Sequence, residues 1–257
     1  MYKIYNEDCL LTMKNHIDEK SIDIILTSPP YNIMRRGADR GYDVYEDYNR
    51  SNNEYIEWIV EIFDNFDKIL KENGVILFNM SYGSETIQTA ECMILTISEI
   101  LRKTDFTLGD IILWKKSSAL PNNVSPNKLT RICEYIYILC RRNDFRTFLT
   151  NKQCVNVRKN GQKMYNNIFN FIESENNDER CELNKATYSS DLCCKLLNLY
   201  GKEGMTVYDP FLGTGTTLVA TEKLKMNGIG SEISAKQCEY AENRLSRIIN
   251  TELSDLF

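Results

Sequence analysis

Three observations on the 257 residues predict an α/β fold built on a mostly parallel sheet flanked by helices. Short apolar runs alternate with longer amphipathic stretches, the order that joins strands through crossover helices. This rhythm occupies both ends of the chain and breaks between about residues 115 and 182. A glycine-rich strand-to-helix turn lies near the C-terminal end, where such folds hold ligands.

The elements follow in order. Ile22–Leu26 reads as a buried strand. Asn53–Leu70 reads as an amphipathic helix, with Ile56, Ile59, Val60, Phe63, Phe66 and Ile69 at helical spacing. Gly74–Phe78 is a strand, Glu85–Arg102 a helix and Asp110–Trp114 a strand. Arg131–Leu139 reads as another strand, with Tyr135, Tyr137 and Leu139 on one face. Toward the C-terminus come helix Ser190–Tyr200, strand Thr206–Asp209, helix Thr216–Lys225, strand Gly228–Glu232 and helix Ala235–Asn250. Lys115–Glu182 holds Ser117-Ser118, Pro121-Asn122-Asn123, Pro126-Asn127 and a polar run, Glu173–Glu182, with little apolar periodicity. It is read as an insertion outside the central sheet, which divides the chain into 1–114, 115–182 and 183–257.

The length suits one large domain, or a domain carrying an insertion. The chain has no run of about 18 apolar residues and no basic-then-apolar leader, so a soluble cytoplasmic protein is expected. Nine cysteines without Cys-x-x-Cys spacing and a single histidine, His16, give no basis for a disulfide framework or a zinc site. The net charge of −5 conceals a partition: Arg102–Lys163 carries thirteen Lys and Arg against four acids, leaving −14 for the remainder. A basic middle between acidic ends fits a polyanion contact on one face, and equally a solvated Lys/Arg-rich surface.

Directly after the first strand stands Thr27-Ser28-Pro29-Pro30-Tyr31-Asn32. Prolines lack a backbone donor and stay extended, so their carbonyls are available to accept. A hydroxyl, a carbonyl and an aromatic plate together suit a planar amine, gripping its N–H bonds and its ring face. At the other end, Val207-Tyr208-Asp209-Pro210-Phe211-Leu212-Gly213-Thr214-Gly215-Thr216-Thr217 joins a strand to a helix. Its glycines admit close approach, and the helix start offers N–H groups to an anion. The next strand ends at Glu232, in position to accept from a ribose diol. The third glycine of a dinucleotide fingerprint is missing, and no Gly-Lys phosphate loop is present.

Ser28-Pro29-Pro30-Tyr31 and Asp209-Pro210-Phe211-Leu212-Gly213-Thr214-Gly215-Thr216 together resemble the amino-group DNA methyltransferases. With the catalytic motif first and the cofactor motif last, the chain is similar to their circularly permuted beta class. The resemblance implies a Rossmann-like methyltransferase fold with a target-recognition segment at 115–182, and S-adenosylmethionine as cofactor. It implies that Ser28 and the Pro29 carbonyl hold the amine of a flipped base, with Pro30 completing the turn and Tyr31 stacking on the ring. Asn32 matches the motif's frequent last position. On the cofactor side it implies Asp209, Pro210, Phe211, Gly213, Thr214, Gly215, Thr216, Thr217 and Glu232. Asn6-Glu7-Asp8-Cys9 resembles the motif whose acid, here Asp8, accepts from the cofactor adenine, with Cys9 beside it.

Asn184-Lys185-Ala186-Thr187-Tyr188-Ser189-Ser190 departs from the family pattern, lacking its first histidine and the proline after the aromatic. Lys185, Ala186 and Thr187 are still expected near the methionine carboxylate. Phosphate and base contacts are expected from Lys115, Lys116, Lys128, Arg131, Arg141, Arg142, Arg158 and Lys159, with Arg35, Arg36 and Arg40 beyond the catalytic motif. Double-stranded DNA is the implied partner, and a homodimer is expected because one small recognition segment covers little DNA. No metal is called for.

In this family Ser at the first catalytic position leans towards the 4-amino group of cytosine and Asp towards the 6-amino group of adenine. Both side chains accept an N–H bond, so adenine stays as the second reading. A ring-carbon cytosine enzyme needs a nucleophilic cysteine, typically after proline, and no proline here precedes Cys. An RNA or protein-glutamine methyltransferase, or a DNA-binding regulator without activity, would present similar motifs. Glu134, within Arg131-Ile132-Cys133-Glu134-Tyr135, either organises the catalytic loop or pairs with Arg131.

Overall fold

The computed structural model describes residues 1–30, 51–80, 93–119, 121, 123, 126–127, 129–178, 181–184 and 187–254, the side chains of 93–94 and 249–254 apart. It opens with β1 (Tyr2–Tyr5) and α1 (Cys9–Asn15), both too short to show a period in the sequence. Asp8 starts α1, its Oδ1 accepting from Leu10 N at 2.8 Å. After β2 (Ile22–Thr27), helix α2 (Asn52–Ile69) begins at a capping box in which Ser51 and Glu54 exchange backbone donors. Then come β3 (Leu70–Met80), α3 (Met93–Lys103), β4 (Phe106–Lys116) and β5 (Cys133–Arg141). The short strands β6 (Cys154–Val157), β7 (Lys163–Tyr165) and β8 (Phe171–Ser174) follow. The chain ends α4 (Ser190–Tyr200), β9 (Thr206–Asp209), α5 (Thr216–Lys223), β10 (Asn227–Ser231) and α6 (Ala235–Ser254).

Eight strands form one sheet in the order β1-β10-β9-β2-β3-β5-β4-β8. Every neighbouring pair is parallel except those made by β5, which runs against both β3 and β4. The carboxyl ends of β1, β10, β9, β2, β3, β4 and β8 therefore share one edge.

The sheet corrects one expectation: 115–182 does not stand outside it. β5 lies between β3 and β4, and β8 extends the edge beyond β4. Among the described residues only the antiparallel ribbon β6–β7 forms a separate sheet, and all seven of its residues are exposed. The segment hid its strands because β8 is four residues long and sits within polar sequence.

Two apolar layers sandwich the sheet, as alternation along each strand requires. Ile25, Ile76, Phe78, Tyr137 and Leu139 face α1, α2 and α3 around Phe63 and Phe66. Ile24, Leu26, Val75, Leu77, Ile136, Ile138 and Trp114 face α4 around Leu196 and Leu197. Tyr135, Tyr137 and Leu139 do share a face, as their spacing predicts. Arg141 belongs to the scaffold and not to a DNA contact: its guanidinium donates to Asp67, to the Leu70 carbonyl at 2.7 Å and to the Lys71 carbonyl at 2.8 Å. Arg142 likewise donates to the Leu101 carbonyl at 2.6 Å. None of the described helices is long and apolar enough to cross a membrane.

Candidate active site

At the carboxyl edge, β2 and β9 are adjacent and parallel, but their chains leave towards opposite faces of the sheet: β9 runs into α5, while β2 leads towards α2. Such a divergence opens a crevice, the usual ligand site of an open α/β sheet. The residues from Ser28 and from Asp209 onward both start there.

Asp209 joins the two sides. It is 1% exposed. Its Oδ1 accepts from Thr27 Oγ1 at 2.7 Å and from Phe211 N at 3.0 Å. Its Oδ2 accepts from Thr217 Oγ1 at 2.6 Å and from Tyr188 Oη at 3.2 Å. A carboxylate has about four acceptor positions, and protein donors fill them. The sequence expectation of a ligand contact is therefore corrected: Asp209 ties the end of the catalytic strand to the glycine turn and to the Tyr188 segment. Burial raises its carboxyl above the usual range, against four hydrogen bonds that favour the ionised form. Burial likewise pushes the Tyr188 hydroxyl well above its ordinary value, with Asp209 adding to the rise.

On the catalytic side Ser28 is half-buried and Pro29 buried. Tyr55 Oη of α2 donates to the Pro30 carbonyl at 3.2 Å, securing the turn from behind. One turn later Trp58 packs against Phe211, ring centroids 5.6 Å apart, so α2 touches both halves of the site. The sequence reading missed Tyr55 and Trp58, which lie on the apolar face of a helix and look like core. Tyr31, Asn32, Arg35, Arg36, Arg40, Lys128, Lys185 and Ala186 lie outside the described residues.

The glycine turn is built to exclude side chains. Gly213 has φ +56°, and a Cβ there would meet Asn184 Nδ2 at 3.0 Å. Gly215 has φ +84°, and a Cβ would stand 2.8 Å from the Ala241 Cβ of α6. α5 starts at Gly215 with no side-chain cap, so an anion can meet its first N–H groups. Arg244, buried on α6, supports the turn by donating to the Thr214 carbonyl at 3.3 Å and Thr216 Oγ1 at 3.0 Å, and it pairs with Asp178. Neither Arg244 nor Asp178 is legible in the sequence, because they meet across 66 residues.

Glu232 is fixed beside the turn, accepting from Gly213 N at 2.8 Å and Ser234 N at 2.9 Å. Asn6 Nδ2 reaches the Glu232 carbonyl at 2.8 Å, bringing the N-terminal motif to the same place. Asp8 is exposed there, whereas the Cys9 side chain is part of the core. Burial in that core also pushes the Cys9 thiol far up. Pro210, Thr214, Thr216 and Thr217 are buried, Phe211 and Thr187 half-buried. This set fits S-adenosylmethionine. An uncapped helix start suits a carboxylate, Glu232 a ribose diol, and the half-buried Phe211 ring an adenine.

Among the expected DNA contacts, Lys115 pairs with Glu173 and Lys116 with Glu134. Glu134 thus finds Lys116 and Asn79 as partners. Arg131, Arg158 and Lys159 are exposed, and Arg158 donates to Gln162 Oε1 across the ribbon turn at 3.0 Å.

Comparison with known proteins places this arrangement. The chain is 26% identical over 268 residues to the type II methyltransferase M.MthZI of Methanothermobacter thermautotrophicus, covering 91% of this chain and 74% of that one. It is 27% identical over 258 residues to the type II methyltransferase M.HinfI of Haemophilus influenzae, covering 95% and 68%. The fold superposes on the PvuII DNA methyltransferase, described as cytosine-N4-specific, with a TM-score of 0.71 at 17% identity, over 94% of this chain and 85% of that one. It also matches M1.HpyAVI in complex with SAM, with a TM-score of 0.64 at 21% identity, over 95% and 100%. The N6/N4 DNA methylase family model matches residues 22–243, spanning both the Ser28 turn and the glycine turn. The chain belongs to that family: it is an S-adenosylmethionine-dependent DNA amino-methyltransferase with a Rossmann-like fold.

Proposed function

We propose that this enzyme methylates the N4 amino group of a cytosine flipped out of a specific duplex DNA sequence, as the modification partner of a type II restriction system. The observation that carries the reading is Ser28 at the carboxyl end of β2, one residue beyond the Thr27–Asp209 bond and across the crevice from the glycine turn. The type II methyltransferase names of the relatives support the system.

An exocyclic amine conjugated into its ring is a poor nucleophile. Ser28 Oγ and the Pro29 carbonyl accept its two N–H bonds, which favours a pyramidal nitrogen with an available lone pair. Pro30, held by Tyr55, keeps the turn rigid, and Tyr31 stacks on the base. Bound S-adenosylmethionine supplies an electrophilic sulfonium methyl. Phe211, the turn Gly213–Thr217 and Glu232 would hold it, with Asp8 and the segment Lys185–Thr187 as further contacts. Holding the two partners in line provides much of the acceleration, and the proton that the methylated amine sheds passes to water. Adenine N6 is the second reading, because a serine hydroxyl accepts equally from either amine.

Recognition falls to 115–182, with the exposed β6–β7 ribbon as its projecting part. A two-stranded ribbon fits the major groove. Arg158 and Lys159 stand at its turn, and Arg131, Lys115 and Lys116 lie towards the sheet edge; Lys128, Arg35, Arg36 and Arg40, outside the described residues, are read as further DNA contacts. A homodimer would double the DNA covered; sedimentation that finds only monomer at micromolar concentration refutes it.

Labelled S-adenosylmethionine and mixed-sequence duplex DNA, followed by digestion to nucleosides and mass spectrometry, tests the assignment. Label on 4-methylcytosine is expected. Label on 6-methyladenine keeps the mechanism and overturns the base, and unlabelled DNA with labelled RNA or protein overturns the substrate.

A further inference from the structure

The ribbon β6–β7 carries an arginine that is oriented but not neutralised. Between Asp144 and Glu173 the chain holds Arg146, Lys152, Arg158, Lys159 and Lys163 and not one acid. Elsewhere in the basic middle several cations are already engaged: Lys115 with Glu173, Lys116 with Glu134 and Arg141 with Asp67. Among the described residues no carboxylate pairs with Arg158, which is exposed.

The hairpin sets its orientation. Arg158 N donates to the Gln162 carbonyl at 2.8 Å and Gly161 N to the Arg158 carbonyl at 2.9 Å, with Gly161 at φ +84° closing the turn. Asn156 pairs with Met164 and Val157 with Lys163, so Asn156, Arg158, Gln162 and Met164 share one face. Arg158 lies along that face: its Nε donates to Met164 Sδ at 3.3 Å and its Nη1 to Gln162 Oε1 at 3.0 Å. Nη2 stays open among the described residues. A guanidinium only donates, so Gln162 must turn its oxygen to Arg158, which leaves its NH2 to a ligand. Asn156 is fixed likewise, since its Oδ1 accepts from Val157 N at 2.8 Å. What the face offers is therefore a set of donors, the Arg158 fork and two amide NH2 groups.

Donors suit an edge made of acceptors. In the major groove, which admits a two-stranded ribbon, guanine shows the acceptors O6 and N7, whereas adenine and cytosine each present an amino donor. A phosphate also accepts, but a flexible ammonium meets it as well as a fork does. Orientation ahead of binding gains most where a planar pair of acceptors must be met.

We propose that Arg158, oriented by Gln162 and Met164, reads a guanine of the recognition sequence through its O6 and N7. This rests on the reading of the ribbon as the DNA-recognition element. The neighbouring Lys159 supplies charge against phosphate and carries no sequence information.

Methylation of a randomised duplex library by full-length protein, with modified sites mapped by sequencing, tests this. The parent is expected to require guanine at a position of its site. Arg158→Ala should lose about 10–100-fold of the discrimination there while other positions keep theirs. Arg158→Lys keeps the charge and loses the fork, so it should relax the same position. Gln162→Ala removes the orienting acceptor and should relax that position by about threefold to tenfold. Lys159→Ala should weaken methylation of every sequence alike. All these side chains are exposed, so S-adenosylmethionine affinity is expected to be unchanged throughout. The proposal is overturned if Arg158→Lys retains the parent site, or if the relaxed position is not guanine. It is also overturned if Arg158→Ala weakens all sequences uniformly with a shallower salt dependence, the mark of a phosphate contact. A parent that methylates no DNA sinks the ribbon reading as well, whereas a site-specific parent with an indifferent Arg158→Ala sinks this inference alone.

Discussion

Replacing Gly215 by alanine tests whether the cofactor turn is seated on α6. The first cost is conformational. Gly215 has φ +84°, and a left-handed backbone disfavours an L side chain by about 1–2 kcal/mol. The second is steric, since the new methyl would stand 2.8 Å from the Ala241 Cβ and 3.3 Å from its Cα. Overpacking of that kind costs about 1–3 kcal/mol. Gly215→Ala is therefore expected to lose about 2–5 kcal/mol in urea unfolding and to weaken S-adenosylmethionine binding in equilibrium titration. Ala241→Gly removes the obstructing methyl at about 1 kcal/mol, the penalty for glycine inside a helix. In the double variant the steric part disappears while the conformational part stays, so the two substitutions should combine with about 1–3 kcal/mol of favourable coupling. Additivity within about 0.5 kcal/mol would refute the reasoning, because it would mean that the turn does not rest on Ala241.

Arg244→Met strands the Asp178 carboxylate and removes two donors from the turn, so a loss of about 3 kcal/mol is expected, partly restored by Asp178→Asn; equal instability of single and double variants argues against the pair. Tyr31→Ala is expected to lose about 10–100-fold in methylation, the range of a base stack, while calorimetry finds cofactor binding unchanged. Alkaline stability follows the buried thiols. Burial pushes Cys140 and Cys238 up to about 11. Their folded values are raised, so the stability they contribute is complete below the ordinary thiol range and is lost as pH rises to about 11. Denaturation midpoints should hold steady to about pH 8.5 and then fall, and Cys140→Ala should flatten the fall.

The parallel sheet and most of its helices were legible because they carry long periods. α2 shows six apolar positions at helical spacing, and β2 is a continuous apolar run. What escaped was short or non-local. β1 and β8 have four residues each, too few to establish alternation, and α1 has seven. Lys185–Thr187 and the prolines near 121–126 stand out as motif and turn signals, while the strand β5 among the basic residues was legible but was placed outside the central sheet. In the site, motif residues were found because spacing marks them. Their supports were not: Tyr55 and Trp58 read as ordinary core, and Asp178 and Arg244 acquire meaning only when distant strands and helices meet. Asp209 shows the reverse error, since a motif position was read as a ligand contact and the fold uses it as a four-way joint.

The strand order also constrains how the chain comes together as it is made. β1 and β2 are neighbours in sequence, yet β10 and β9 stand between them in the sheet. Both gap-filling strands come more than 170 residues after β2, so a ribosome-bound product carries β2 with one flank open until β9 emerges. Contacts of such long sequence separation are slow to form and expose unpaired strand edges meanwhile. The methyl-donor half of the crevice cannot exist before residue 231 is available, when β10 closes the row between β1 and β9. Synthesis therefore holds back catalysis until β10 has emerged, and products truncated before it lack the means to modify DNA.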